Sequence, residues 1–197
     1  MIAKLLDLDR LLFQFINTSL ANPIFDWAMP LMTNPLTLGL PLIFAVLWLL
    51  IRGGRRGRIA VVLLIIAVSL TDSIAAQIIK PLVGRLRPSH AMTEGIRILV
   101  GKGGRYGFVS NHAANSFALA TILSYFFRAY RKIFFTLAGL VAFSRVYVGV
   151  HYPGDVLFGA FFGYLTAWTV LTVWVLVKMR ELKRGRSWVW YAESPPP

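Results

Sequence analysis

Five stretches of this chain, residues 35–51, 59–79, 107–127, 133–149 and 156–177, run almost free of Lys, Arg and Glu; the first reads PLTLGLPLIFAVLWLLI. An α-helix rises 1.5 Å per residue, so about 20 residues cross a hydrocarbon layer about 30 Å thick. Several of the stretches are long enough and the shortest are marginal. Helices buried in a soluble bundle would each show a polar face. These mostly do not, and with 57% apolar residues the chain is read as solvated by lipid. The predicted fold is all-α, a polytopic transmembrane helix bundle of five to six spans with an N-terminal amphipathic interfacial helix. It divides into N-terminal interfacial helices at 1–34, a transmembrane core at 35–180 and a cytoplasmic basic and aromatic tail at 181–197.

In the opening segment Leu5, Leu8, Leu11, Leu12, Phe15 and Ile16 recur at helical spacing with charges between them, the pattern of a helix lying on the membrane surface. It is not a cleavable signal, because Asp7, Asp9 and Arg10 interrupt the apolar run and no convincing small-residue site follows. A short helix at 25–32 follows, and whether it joins its neighbours in a sixth span is left open. The tail SWVWYAESPPP reads as an aromatic interfacial anchor with a disordered end.

The net charge of +13 is distributed informatively. Arg52, Arg55, Arg56 and Arg58 fill one connection, Arg128, Arg131 and Lys132 the next but one, and Lys178, Arg180, Lys183, Arg184 and Arg186 follow the last span. If each stretch crosses once, these clusters share one face, which the positive-inside rule makes cytoplasmic. The expected location is therefore the bacterial cytoplasmic (inner) membrane, multi-pass, with residues 80–106 and 149–155 on the periplasmic side. Positive charge divided between two faces does not make a nucleic-acid groove. Yet the outer loop itself carries Lys80, Arg85, Arg87, Arg97, Lys102 and Arg105. Those cations need a task that outweighs the bias.

Three clusters on that side carry chemistry. In KPLVGRLRP, Pro81 and Pro88 limit the backbone so that Lys80 and Arg87 can converge on one point, and Lys with Arg suits a phosphate. Taken alone, the same stretch is equally ordinary snorkelling at a membrane edge. In GFVSNHAANSFALA, Ser110 is a plausible N-cap, which would turn the amides of Asn111 and His112 outward as an anion site. In SRVYVGVHYPGD, Arg145 near the end of an apolar segment would cost about 2.5–3.5 kcal/mol unpaired near the bilayer centre, so an anion should meet it. His151 and Asp155 are four apart; with Pro153 starting a helix, Asp155 can orient the ring and make one nitrogen a better nucleophile or base.

These clusters, in this order, resemble the type 2 phosphatidic acid phosphatase superfamily of membrane lipid phosphatases. Its motifs are matched by Lys80 to Pro88, by the Ser-x-His core Ser110 to His112, and by Ser144-Arg145, His151 and Asp155. The third has four fixed positions and would arise by chance in about one chain in a thousand of this length. The second departs from the family form, Val109-Ser110-Asn111-His112 standing where Pro-Ser-Gly-His is usual. The resemblance implies His151 as nucleophile forming a phosphohistidine, Asp155 holding its ring, and His112 as general acid and then base. It assigns Lys80, Arg87, Ser110, the amide of Asn111 and Arg145 to the phosphoryl oxygens. No metal and no other cofactor is expected. The rival site is a metal centre on His90, His112 and His151, disfavoured by few carboxylates and many cations.

Asp72 is expected on an inward face with Gln77 and Lys80, in a structural contact with Ser or Thr neighbours. The partner implied is a phosphorylated lipid, with no obligate protein partner evident. The positive rim of the outer loop points to a polyanionic headgroup: lipid A 1-phosphate first, then undecaprenyl pyrophosphate or phosphatidylglycerophosphate. The alternative, a lipid carrier or flippase, needs the cations but has no use for a His–Asp pair beside a capped His.

Overall fold

Asx-Pro and Tyr-Pro steps set where several helices of this protein begin. Asn22 and Asn34 cap the next helices, their side-chain oxygens accepting from Phe25 N at 2.9 Å and Leu36 N at 2.8 Å, with Pro23 and Pro35 in the first turn, where a missing N–H costs nothing. Pro153 plays the same part after Tyr152. The structure, a computed structural model, describes residues 2–186 and 188–189. Among them it contains α1 (Ile2–Gln14), α2 (Pro23–Leu31), α3 (Pro35–Arg52), α4 (Gly54–Ile74), α5 (Lys80–Val83), α6 (Pro88–Ala91), α7 (Asn111–Phe126), α8 (Arg131–Tyr147) and α9 (Pro153–Lys183). Wider π-helical turns at Phe15–Ser19 and Ala75–Ile79 prolong α1 and α4. The expected all-α class is the one observed.

By length and composition α3, the stretch Gly54–Val83 and α9 suffice to cross a membrane. With 16 and 17 residues, α7 and α8 extend about 24–26 Å. The central helix is α7, packed against α4, α8 and α9. Ala60, Leu63, Leu64 and Ala67 of α4 meet Ala118, Ile122 and Phe126 of α7 and Ala167, Leu171 and Trp174 of α9 in one apolar core. Outward-facing Phe44, Trp48, Ile65, Leu157, Phe161 and Leu176 stay exposed, as a lipid-facing surface requires. α1 keeps Leu5, Leu8, Leu11 and Leu12 exposed while Phe13 is buried edge-on against Tyr152, with ring centroids 5.4 Å apart. That exposed leucine face is the one the sequence reading assigns to an interfacial helix.

Helices α7 and α9 approach to backbone contact. A Cβ on Gly159 would lie 2.7 Å from the Ser110 carbonyl oxygen, and one on Gly163 would lie 1.9 Å from that of Ala114. Glycine four residues apart gives α9 a flat face at the crossing. At the opposite end the Arg56 guanidinium lies 4.7 Å over the Phe127 ring, bringing the basic α3–α4 and α7–α8 connections together.

α9 runs three residues past the expected core boundary at 180 and ends at Lys183. Beyond it, Glu181 accepts hydrogen bonds from Arg186 at 3.1 Å and Trp188 Nε1 at 2.8 Å, and Val189 is buried in the core. The rest of the expected tail, 187 and 190–197, lies outside the described residues.

Gly163→Ala is expected to force α7 and α9 apart and destabilise the protein by about 1–3 kcal/mol. Gly139→Ala, with nothing within 4 Å of the new methyl, should not. Thermal unfolding of both variants in the same detergent is the check.

Candidate active site

Backbone hydrogen bonds assemble the site before any side chain does. α8 ends at Tyr147 and the chain turns at Gly149, whose φ of +87° and 2.2 Å approach of a Cβ to the Arg97 carbonyl oxygen admit only glycine. His151 N then donates to the Arg145 carbonyl at 3.2 Å, placing the histidine just ahead of α9. Ser110 N donates to the Asp155 carbonyl at 2.9 Å, joining the starts of α7 and α9. Arg87 N to Arg105 O at 3.2 Å and Gly107 N to Arg85 O at 2.8 Å lay the first cluster beside the approach to the second.

The His151 ring is fully buried. Arg87 Nη1 donates to its Nε2 at 2.9 Å. A guanidinium has donors only, so Nε2 must be the lone-pair nitrogen and the ring proton belongs on Nδ1. Nδ1 faces Asp155 Oδ2 at 3.5 Å, a long contact, and has no other partner. Asp155 is itself buried and anchored, Oδ2 accepting from Tyr152 N at 3.1 Å and Oδ1 from Arg85 Nη1 at 2.8 Å. The ring is thus backed by a carboxylate on one side and presents its lone-pair nitrogen on the other.

Around it stand Lys80, Arg87, Arg145 and His112, all near enough to act electrostatically on His151. Arg145 is 8% exposed; one guanidinium nitrogen bonds the Thr33 hydroxyl while its buried Nε has no partner. Ser110 Oγ caps α7 through Ala113 N at 3.5 Å, leaving the amides of Asn111 and His112 without intrahelical acceptors. Two buried arginines, a lysine and a helix N-terminus outnumber the carboxylates nearest them, Asp155 and Asp72, an arrangement whose chemistry suits an anion.

The family model described as the PAP2 superfamily matches residues 58–179. The chain belongs to the PAP2 superfamily. It is 34% identical over 176 residues to a lipid A 4′-phosphatase of Bacteroides thetaiotaomicron, covering 85% of this chain and 77% of that one. To a lipid A 4′-phosphatase of Porphyromonas gingivalis it is 32% identical over 123 residues, 60% of this chain and about half, 52%, of the relative. The crystal structure of Aquifex aeolicus LpxE superposes with a TM-score of 0.67 at 26% identity, covering 84% of this chain and 95% of that one.

The structure of this PAP2 protein brings all eight expected site residues to one end of the bundle and corrects the reading of others. Arg85 and Arg97, taken as parts of a positive rim, are internally paired. Arg85 joins Asp155 and Asp9, and Arg97 Nη2 donates to Asp26 Oδ2 at 2.5 Å while its backbone is held by Asn17 at 2.8 Å. Only Lys102 and Arg105 of that rim remain exposed on the loop. Asp72 is exposed rather than inward, and its partners are Asn111 Nδ2 at 2.7 Å and Asn115 Nδ2 at 3.0 Å instead of Ser or Thr. The Asn111 side-chain nitrogen is therefore engaged by Asp72, while its Oδ1 is buried without a partner. His90 is exposed and bonds Ser89 Oγ at 3.2 Å, and among the described residues no three His, Cys, Asp or Glu side chains are grouped to hold a metal. Asp9, Thr33 and Tyr152 were missed. They lie remote in sequence or carry no motif signal.

Burial first, and then the charges of Arg87, Arg145 and Lys80, hold the His151 pKa well below the ordinary histidine value of 6.5. His151 should stay neutral with its proton on Nδ1 as pH falls through 6.5, and removing the cation in Arg87→Met should shift its titration upward. Nitrogen-15 NMR of histidine-labelled protein reads both.

Proposed function

We propose that this protein, a membrane lipid phosphatase of the PAP2 superfamily, hydrolyses a phosphate monoester of lipid A through a phosphohistidine on His151. The observation that carries the reaction is the His151 ring itself, with the Nε2 lone pair toward Arg87 at 2.9 Å and Asp155 behind Nδ1. Nε2 attacks phosphorus in line as the bond to the lipid oxygen breaks, and His112 gives that oxygen a proton. Water then attacks the phosphohistidine, the P–N bond breaks, and His112 takes the water's proton as phosphate leaves. The arriving phosphate supplies the negative charge that lets His112 carry a proton among so many cations. Lys80, Arg87, Arg145, Ser110 and the Asn111 amide take the phosphoryl oxygens, where charge stabilisation is usually the largest contribution.

The 1-phosphate was favoured above through the rim of cations. With Arg85 and Arg97 paired internally that support is reduced, and the two relatives described above are named for the 4′-position. The 4′-phosphate therefore takes precedence. We place the active site at the periplasmic face of the inner membrane, because the densest basic clusters lie at the opposite end of the bundle.

Purified protein in detergent with EDTA should release phosphate from bisphosphorylated lipid A faster than from undecaprenyl pyrophosphate or phosphatidylglycerophosphate, and mass spectrometry of the product reports the position lost. His151→Ala should reduce release to background, and His112→Ala should slow it about 10²–10⁴-fold. Turnover by His151→Ala would sink the mechanism. Binding of every lipid with release of none would favour the carrier.

A further inference from the structure

Behind Asp155 the hydrogen-bonded chain continues to the membrane-surface helix. Arg85 sits between two carboxylates, donating to Asp155 Oδ1 at 2.8 Å and to Asp9 Oδ2 at 2.5 Å, with its guanidinium 4.4 Å over the Tyr152 ring. The second oxygen of Asp9 accepts from Gly154 N in the first turn of α9 at 2.7 Å. The approach is close, since a Cβ on Gly154 would lie 3.0 Å from Asp9 Oδ2. One carboxylate from α1 thus meets both the start of α9 and the arginine that grips Asp155.

We propose that Asp9 and Arg85 are positioning residues for His151, the carboxylate of the interfacial helix fixing the guanidinium that fixes the carboxylate behind the catalytic ring.

The need for them follows from the bonds of Asp155. Its Oδ2 both faces His151 Nδ1 and accepts from Tyr152 N, and Oδ1 is held by Arg85. Without Arg85 the carboxylate keeps one backbone bond, about which it can swing, and its 3.5 Å contact with the ring is lost first. Without Asp9, Arg85 keeps its bond to Asp155 but loses the second anchor that sets its plane. A planar fork held at two points orients; held at one it pivots. Both terminal nitrogens of Arg85 and both oxygens of Asp9 are already engaged within the protein, so their effect is assigned to the chemical step and not to binding.

The inference rests on His151 as nucleophile, and the test separates the two. Steady-state rates and single-turnover phosphoenzyme formation are measured on lipid A with Asp9→Asn, Arg85→Gln, the double variant, Asp7→Asn as an exposed control on the same helix, and His151→Ala. Expected are a fall in kcat of roughly ten- to a hundredfold for each single variant with KM unchanged, a double variant no slower than Arg85→Gln alone, and wild-type rates for Asp7→Asn. Arg85→Lys, which keeps the charge but not the fork, should recover part of the loss. If Asp9→Asn fails to fold, Asp9→Glu, which keeps the charge but displaces it by a methylene, takes its place. Wild-type kcat in Asp9→Asn, a change in KM alone, or losses that multiply in the double variant would overturn the proposal. If His151→Ala retains turnover, the function proposed above fails instead.

Discussion

Where Gly163 and Gly159 lie against the backbone carbonyls of α7, two helices come close enough for their N-terminal ends to share a hydrogen bond, Ser110 N to Asp155 O at 2.9 Å. The site depends on this contact. It brings the first turn of α7, with His112 and its unpaired amides, beside the segment that carries His151. A side chain at either glycine would separate the helices at the backbone, where no rotamer change can relieve the overlap. In a bilayer, apolar burial gives little drive for one helix to choose another, so close van der Waals packing and shared hydrogen bonds carry more of that choice.

The same geometry gathers charge that the protein does not neutralise. Arg87 and Arg145 are each 8% exposed, and the one buried carboxylate near them, Asp155, is already bonded to Arg85 and to the backbone. Buried arginines short of counter-charge destabilise a fold unless something offsets them. Here carbonyl oxygens do part of this: Tyr106 and Val150 accept from Arg87 at 3.2 and 3.4 Å. In the proposed function a bound phosphate would offset the remaining deficit, which would link binding to folding.

How much of this is legible in the sequence differs by residue. Lys80, Arg87, Ser110, His112, Arg145, His151 and Asp155 each sit in a short local pattern, and that these patterns meet at one end of the bundle is legible from the long apolar stretches that set the helices between them. Arg85 and Arg97 are readable as charges but not as paired charges. Their partners, Asp9 and Asp26, are 76 and 71 residues away, and no local pattern records such a separation. Asp72 fails for a related reason. Helical phase places it on a face with Lys80, but which neighbour covers that face depends on the α4–α7 packing, and the neighbour offers asparagines. Thr33, which meets Arg145 from 112 residues away, is silent in the same way.

Arg87 bears directly on the proposed reaction, because it bonds the ring atom which that reaction uses. Its Nη1 lies on His151 Nε2 at 2.9 Å, so the lone pair that would attack phosphorus is already accepting a hydrogen bond. An incoming phosphate offers the guanidinium a charged acceptor, and a charge-assisted bond is stronger than one to a neutral ring nitrogen. In the reaction proposed above, that difference would favour Arg87 on the phosphoryl group over the ring nitrogen. The same bond fixes the ring tautomer, with the proton on Nδ1. A buried histidine among cations stays unprotonated for the same reason, since each neighbour that would hold phosphate also disfavours a proton on the ring.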